Sequence, residues 1–281
     1  MLSLLTVIFA LCALYLAITL VLVWVVQKFP RSPVTDPPDW GRVTDTWVPT
    51  VGRGRLETWR IEPDGPSKGI VVFVHGWSRN RDRMMGRARV FGRLGYTCVL
   101  FSARDHGKSS RAFVMNGYAF SRDAEAVIRW TGEPVILYGH SAGSAGAIIA
   151  ASRCPESVRL LILEASYAYT REALLSLYHW VHPAFGKLFA AAIVTVMDWC
   201  YRGRLDSFSP ARLARTLAMP VLIVHGQTDK RFPMDFARRL HAAFAPGQAE
   251  LFIAEGKGHS DSSQHPRYFE VVRCFLERRK P

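Results

Sequence analysis

The pentapeptide Gly139-His140-Ser141-Ala142-Gly143 places a serine where it could act as a nucleophile toward an acyl carbonyl. It follows the apolar run Pro134–Tyr138 and opens an Ala/Gly/Ile-rich stretch, which predicts a sharp turn between a buried strand and a helix. Such a turn drives backbone dihedrals into strained regions, and flanking glycines remove side chains that would collide there. A serine hydroxyl is a weak nucleophile, so it needs a base to take its proton and an acid to orient that base. His259, in Gly256-Lys257-Gly258-His259, and Asp229, in His225-Gly226-Gln227-Thr228-Asp229, supply both types. Glu164, which also ends an apolar run, is the substitute acid, and Asp229 could instead cap the helix after Phe232-Pro233. His265 is the rival base, although a position before proline suits the start of the last helix better.

Those residues must be held by a common frame. Gly69–Val74, Tyr96–Phe101, Pro134–Tyr138, Val158–Leu163 and Pro220–Val224 are near-continuous apolar runs separated mostly by helical segments, and Ala249–Ala254 is a further candidate strand. Strands buried on both faces read this way, so the chain is expected to be α/β, with a mostly parallel sheet covered by helices. Val43–Val48 and Leu56–Ile61 read as two antiparallel strands ahead of it, turning at Gly52-Arg53-Gly54. Ligands of open parallel sheets bind at the carboxyl ends of the strands. His75-Gly76-Trp77, Ser102–Ser109, Ser141, Glu164, Asp229 and His259 all follow such ends. More than fifty residues separate Leu163 from Pro220, and their composition predicts an inserted helical cap over about residues 166–212. Its aromatics, Phe185 to Phe189 and Trp199-Cys200-Tyr201, would fill the cap core or line an acyl tunnel.

The order Ser141, Asp229, His259 is the order of the α/β-hydrolases. From about Thr46 to Leu276 the chain resembles that superfamily, particularly its capped serine hydrolases of the monoglyceride-lipase and serine-aminopeptidase-like type. Besides the elbow and the two loops, His75-Gly76-Trp77 resembles the turn after the family's third strand. Arg104-Asp105-His106-Gly107-Lys108-Ser109 is similar to its Arg-Gly-His-Gly-x-Ser segment, with Asp105 replacing a glycine. The resemblance implies an acyl-serine mechanism with Ser141, Asp229 and His259 as triad and the backbone N–H groups of Trp77 and Ala142 as oxyanion hole. It implies no cofactor. His75, His106, His140 and His225 are then structural hydrogen-bonders, and Asp123 a solvated or locally bonded helix residue. Dehalogenases and most epoxide hydrolases of this fold use an aspartate nucleophile, which Ser141 argues against. A peptidase and a catalytically silent membrane-tethered binding or scaffold protein are the alternatives.

Residues Leu2–Val26 carry no charge, enough to cross a bilayer as a helix, so residues 1–27 are expected to be a retained transmembrane anchor. The run is too long for a signal peptide and lacks its basic start and cleavage site. Residues 28–40, with four prolines between Phe29 and Asp39, form a linker to a hydrolase domain over 41–281. Lys28 and Arg31, directly after the span, place that domain on the cytoplasmic side. The net charge of +13 lies outside the anchor and could draw the domain to anionic headgroups or be solvated surface charge. No nucleic-acid motif accompanies it. The five cysteines, at 12, 98, 154, 200 and 274, have no metal-ligand spacing and read as reduced packing residues. His179 and His182 lack clustered ligands, so no metal is expected.

Overall fold

The computed structural model describes residues 3–28 and 30–279. Met1, Leu2, Phe29, Lys280 and Pro281 lie outside the described residues, and with them the first residue of the apolar run and of the proline-rich segment. Eight strands form one sheet: β1 Arg42–Thr50, β2 Gly54–Glu62, β3 Ile70–Val74, β4 Thr97–Phe101, β5 Val135–His140, β6 Val158–Glu164, β7 Val221–Gly226 and β8 Ala249–Ala254. Their order is β1-β2-β4-β3-β5-β6-β7-β8. β1 and β2 pair antiparallel through a short turn containing Gly52, β2 meets β4 antiparallel, and the rest are parallel. Each apolar run read from the sequence is one of these strands.

The period of two divides the strand residues between two cores. Val72, Val74, Leu137, Leu161, Leu163 and Ile223 face one side, where α3 (Gly117–Thr131), α4 (Ala142–Arg153), the short α8 (Pro210–Ala214) and α9 (Met234–Ala242) cover them. Val71, Phe73, Ile136, Tyr138, Ile162 and Leu222 face the other, under α2 (Met85–Arg93) and α10 (Tyr268–Arg278). That alternation is why near-continuous apolar runs are needed: each face of each strand has its own helix layer.

Between β6 and β7 the chain leaves the sheet as α5 (Thr170–Val181), then α6 (Pro183–Phe185), a π turn (Gly186–Ala190) and α7 (Ala191–Cys200), which run on as a single helix. Tyr178, Ala190, Ile193, Val194 and Met197 form a separate small core here. Its outer wall comes from α1 (Leu4–Val25), whose Leu22 and Val23, with Val26 just beyond, pack against it. Tyr15 stacks on Phe189 at 5.3 Å, and its hydroxyl donates to the carbonyl of Leu188 at 2.6 Å. Apart from the buried Thr19, whose hydroxyl donates to the Tyr15 carbonyl, the rest of α1 is mostly apolar and outward-facing, with Leu4 and Phe9 both 75% exposed. By length and composition α1 and the continuous helix Pro183–Cys200 could each cross a membrane.

The proline-rich segment after α1 is irregular and pinned at both ends. Lys28 and Arg31 reach Asp105, and Asp36 and Asp39 hold Arg89 of α2. One expectation is corrected. Asp123 on α3 is fully buried rather than solvated; it accepts hydrogen bonds from the Thr50 hydroxyl and from the main-chain and Nε groups of Arg104. The long-range partners that make this burial tolerable lie 73 and 19 residues away in sequence.

Candidate active site

Ser141 sits between the end of β5 and the first turn of α4 with φ 55° and ψ −121°, a strained conformation for a residue with a Cβ. Three contacts hold it there. Its N–H donates to the Glu164 carbonyl at 2.9 Å, tying the elbow to β6. Its carbonyl accepts from the Ser144 hydroxyl at 2.6 Å, and the Ser144 N–H also points to that carbonyl. The flanking glycines serve sterics rather than dihedrals. A Cβ on Gly139 would meet the Gly143 carbonyl at 2.5 Å, and a Cβ on Gly143 would lie 2.3 Å from the carbonyl of Val74. The elbow therefore nests against β3 and against its own helix, at separations that admit no side chain.

The loops after β7 and β8 bring the other two residues to this serine. His259 Nε2 lies 2.8 Å from Ser141 Oγ, and His259 Nδ1 lies 2.7 Å from Asp229 Oδ2. Asp229 Oδ1 accepts from the N–H groups of Arg231 and Phe232 at 2.8 and 3.0 Å, so the carboxylate orients its loop and the imidazole at once. Asp229 does not cap α9: that helix begins at Met234 after Pro233 with no side-chain cap, and the two main-chain bonds of Oδ1 lie within its own loop. Burial pushes the Asp229 carboxyl up, but the hydrogen bond and charge of His259, with the Phe232 N–H, outweigh it and hold the group below its usual value. An ionised Asp229 accepts from Nδ1–H and leaves Nε2 with a lone pair facing the hydroxyl. Phe232 packs edge-on to the His259 ring at 5.2 Å and limits its swing.

Glu164 has its carboxylate engaged by groups other than His259. It ends β6 on the face occupied by α2 and α10, where Arg87 Nε and Nη2 donate to its two oxygens at 2.8 and 2.6 Å and the Tyr138 hydroxyl donates at 2.7 Å. Burial raises this carboxyl, yet the Arg87 charge and hydrogen bonds bring it down to about 2. His265, the rival base, accepts from the Arg267 N–H and packs on Phe252, at the entry to α10.

The four other histidines hold the loops. His75 Nδ1 donates to the Gly76 carbonyl at 2.7 Å while Nε2 accepts from the Ala103 N–H at 2.9 Å, joining the loops after β3 and β4. His106 donates to the Arg104 carbonyl and accepts from the Ser78 N–H. His140 donates to the main-chain carbonyl of His259, and His225 to that of Phe232. Burial, the leading cause for all four, pushes them below the ordinary imidazole range, His140 to about 3. They act as neutral rings. Among the described residues no group of three or more His, Cys, Asp or Glu could hold a metal ion.

Above the serine opens a cavity of about 560 Å³. Trp77 and Ala142 line it beside Ser141 and His259. Leu174, Leu177, Val181 and Phe185 of the β6–β7 insertion form an apolar wall, and a second wall comes from the end of α1, where Val25 and Val26 are followed by Gln27 and Lys28. This second wall was not legible in the sequence, because nothing in an apolar helix says which domain surface it lies on.

The comparisons with known proteins follow the same lines. The family model described as serine aminopeptidase, S33, matches residues 65–209, just over half of the chain, and a model described as TAP-like protein matches residues 182–279. A lysophosphatidylserine lipase of Macaca fascicularis is 25% identical over 265 residues, covering 86% of this chain and 64% of that protein. The chain thus spans somewhat under two thirds of the length of this lysophosphatidylserine lipase. A monoacylglycerol lipase of Mycolicibacterium smegmatis is 23% identical, over 70% of this chain and 83% of that one. Among solved structures, an esterase of Pyrococcus furiosus superposes with TM-score 0.70 at 18% identity, covering 89% of this chain and 99% of that one. A membrane phospholipase A superposes with TM-score 0.62 at 15% identity, covering 97% of this chain and 94% of that one. With the strand order, the elbow and the matched family model in agreement, the chain belongs to the α/β-hydrolase superfamily, in the serine aminopeptidase S33 family.

Proposed function

We propose that the protein is a membrane-anchored serine hydrolase that cleaves carboxylic esters or thioesters of apolar acyl groups through an acyl-serine intermediate. The observation that carries this is the continuous relay from Asp229 Oδ2 through His259 to Ser141 Oγ, with steps of 2.7 and 2.8 Å, at the floor of an apolar cavity. His259 takes the Ser141 proton as Oγ attacks the carbonyl carbon and returns it to the leaving alcohol or thiol. Asp229 keeps the imidazole in the required tautomer and stabilises the imidazolium. The N–H groups of Trp77 and Ala142 meet the tetrahedral oxygen, each contributing about 3 kcal/mol. Water then attacks the acyl-enzyme, with His259 serving first as base and then as acid.

Two observations favour lipid-like esters over peptides. The cavity wall is apolar on the insertion side and at Val25 and Val26 on the α1 side, which suits an alkyl chain. The last turn of α1, the residues that would leave a bilayer, reaches into that same cavity. The lipase names of the relatives point the same way. In this proposal residues 1–27 anchor the chain, residues 28–40 tie it to a hydrolase domain over 41–281, and the helices within about 166–212 cap the site. Lys28 and Arg31, just after the span, support a cytoplasmic domain, which protease accessibility in sealed vesicles reads directly.

Labelling with a fluorophosphonate tests the nucleophile: wild type is expected to be labelled and Ser141→Ala is not. Unlabelled wild type, or label persisting in the variant, would leave the silent scaffold as the better account. A series of p-nitrophenyl esters of rising chain length tests the substrate class, and turnover confined to the shortest would remove support for lipid-like substrates.

A further inference from the structure

Arginines between residues 79 and 89 fall into two groups. Arg81, Arg87 and Arg89 are each paired with carboxylates, Asp45, Glu164, and Asp36 with Asp39 respectively. Arg79 and Arg83 have no carboxylate partner among the described residues, and neither has Arg231, directly before Phe232. These three line the cavity that holds Ser141 and His259. Arg83 Nε is buried and has no hydrogen-bond partner, an expensive state for a guanidinium N–H. Arg231 lies over the Trp180 ring at 4.1 Å, and its main-chain carbonyl accepts from the Ser176 hydroxyl at 2.7 Å, so its position is set from α5. The three charges sense one another. Burial and then the charges of Arg87 and Arg79 hold the Arg83 guanidinium below its usual value, and burial with Arg79 does the same to Arg231, against the pull of Asp229. Glu164 and Asp229 pull the other way but form no ion pair with them, since Glu164 is paired with Arg87 and Asp229 with His259.

We propose that Arg79, Arg83 and Arg231 form an anion subsite beside the catalytic serine that binds a phosphate-bearing headgroup, making single-chain phospholipid esters the preferred substrates. This deepens the function proposed above and rests on it. The cavity supplies both halves of the recognition. The apolar insertion wall with Val25 and Val26 accepts an alkyl chain, and the arginines line the same cavity, where the phosphate of a leaving glycerophosphate would meet them. Guanidinium groups bind phosphate oxygens through paired charge-assisted hydrogen bonds, and a partly desolvated site strengthens them. The neighbouring arginines with partners are the contrast that decides against ordinary surface charge: this segment neutralises its guanidiniums wherever they do not face the cavity.

Non-hydrolysable ether lipids separate this subsite from catalysis. Calorimetric titration of the full wild-type chain in nonionic micelles would compare 1-O-dodecylglycerol 3-phosphate with 1-O-dodecylglycerol. The phosphorylated ether is expected to bind at least about tenfold tighter, with that preference falling as salt rises. Arg83→Gln and Arg231→Gln should each reduce the preference several-fold, and the double variant should abolish it. Equal affinity of wild type for the two ethers, or a preference kept by a folded double variant, would overturn the assignment. Wild type alone decides if the variants do not fold. Inorganic phosphate that binds wild type as tightly as the phosphorylated ether would mean a free-anion site and overturn the headgroup reading. Because neither ether is cleaved, failure here is distinct from failure of the hydrolase reading, which shows as absent fluorophosphonate labelling.

Discussion

Replacing Asp229 by Asn and Glu164 by Gln separates two buried acids, one in the loop after β7 and one at the end of β6. In the wild type Asp229 Oδ1 receives the N–H groups of Arg231 and Phe232, and Oδ2 receives His259 Nδ1–H. An asparagine has one acceptor oxygen, and two main-chain donors claim it, so its NH₂ group must face His259. The imidazole then carries its proton on Nε2, pointing at Ser141 Oγ where a lone pair is needed. Loss of the correct tautomer costs about 10⁴ in kcat, or about 5.5 kcal/mol of transition-state stabilisation. Glu164→Gln acts elsewhere. It leaves Arg87, paired with it at 2.6 Å and almost wholly buried, without a counter-charge, which costs about 3 to 5 kcal/mol of folding stability. Its effect on kcat should stay within about tenfold, through small shifts of the β6 carbonyl that holds the elbow. The assay is p-nitrophenyl ester hydrolysis normalised to active sites counted by fluorophosphonate, beside urea unfolding of both variants. An Asp229→Asn enzyme within tenfold of wild type, or a folded Glu164→Gln enzyme as slow as Asp229→Asn, would refute the assignment of the acid.

Gly143→Ala should prevent native folding or abolish fluorophosphonate labelling, since its Cβ would sit 2.3 Å from the Val74 carbonyl; a normally labelled variant would show that the elbow can shift away from β3. Acid should destabilise the fold in two windows. His75, His106, His140 and His225 have folded-state values below their unfolded value of about 6.5, so the unfolded chain binds protons first and stability falls as pH drops below that point, down to about 3 for His140. Glu164, held at about 2, keeps its contribution until pH falls below the unfolded carboxylate value of about 4.3, and loses it toward 2. Urea midpoints measured at intervals from pH 7.5 to 3 test this, and a flat profile above pH 5 would contradict the neutral histidines. Asp105→Gly relieves a left-handed residue at φ 63° but removes the carboxylate facing Lys28 and Arg31, leaving them only their bonds to the Ala112, Gly107 and Ser109 carbonyls and loosening the α1 wall of the cavity. Turnover of long-chain p-nitrophenyl esters should then fall several-fold relative to short ones, and an unchanged chain-length profile would show that this latch does not shape the pocket.

Strand positions, helix layers and the identity of the three aligned residues were legible because they depend on local pattern. A strand buried on both faces must be apolar throughout, a strained elbow between two close-packed backbones must be flanked by glycine, and residues after parallel strands must gather at one edge. Parity along β6 decided what the sequence left open about Glu164. Ile162 and Glu164 share the face under α2, and only there does Arg87, 77 residues earlier, become a partner. The same holds for Asp123, whose solvated appearance came from its helix and whose burial came from Arg104 and Thr50. An apolar helix announces its preference for an apolar surrounding but not the surface it meets, so the packing of α1 on the insertion, its share in the cavity and the Asp105 latch on Lys28 and Arg31 exist only in three dimensions. Charge behaves likewise. The sequence counts an excess of +13, whereas the fold decides which guanidiniums find carboxylates and which three line the cavity that holds the serine without one.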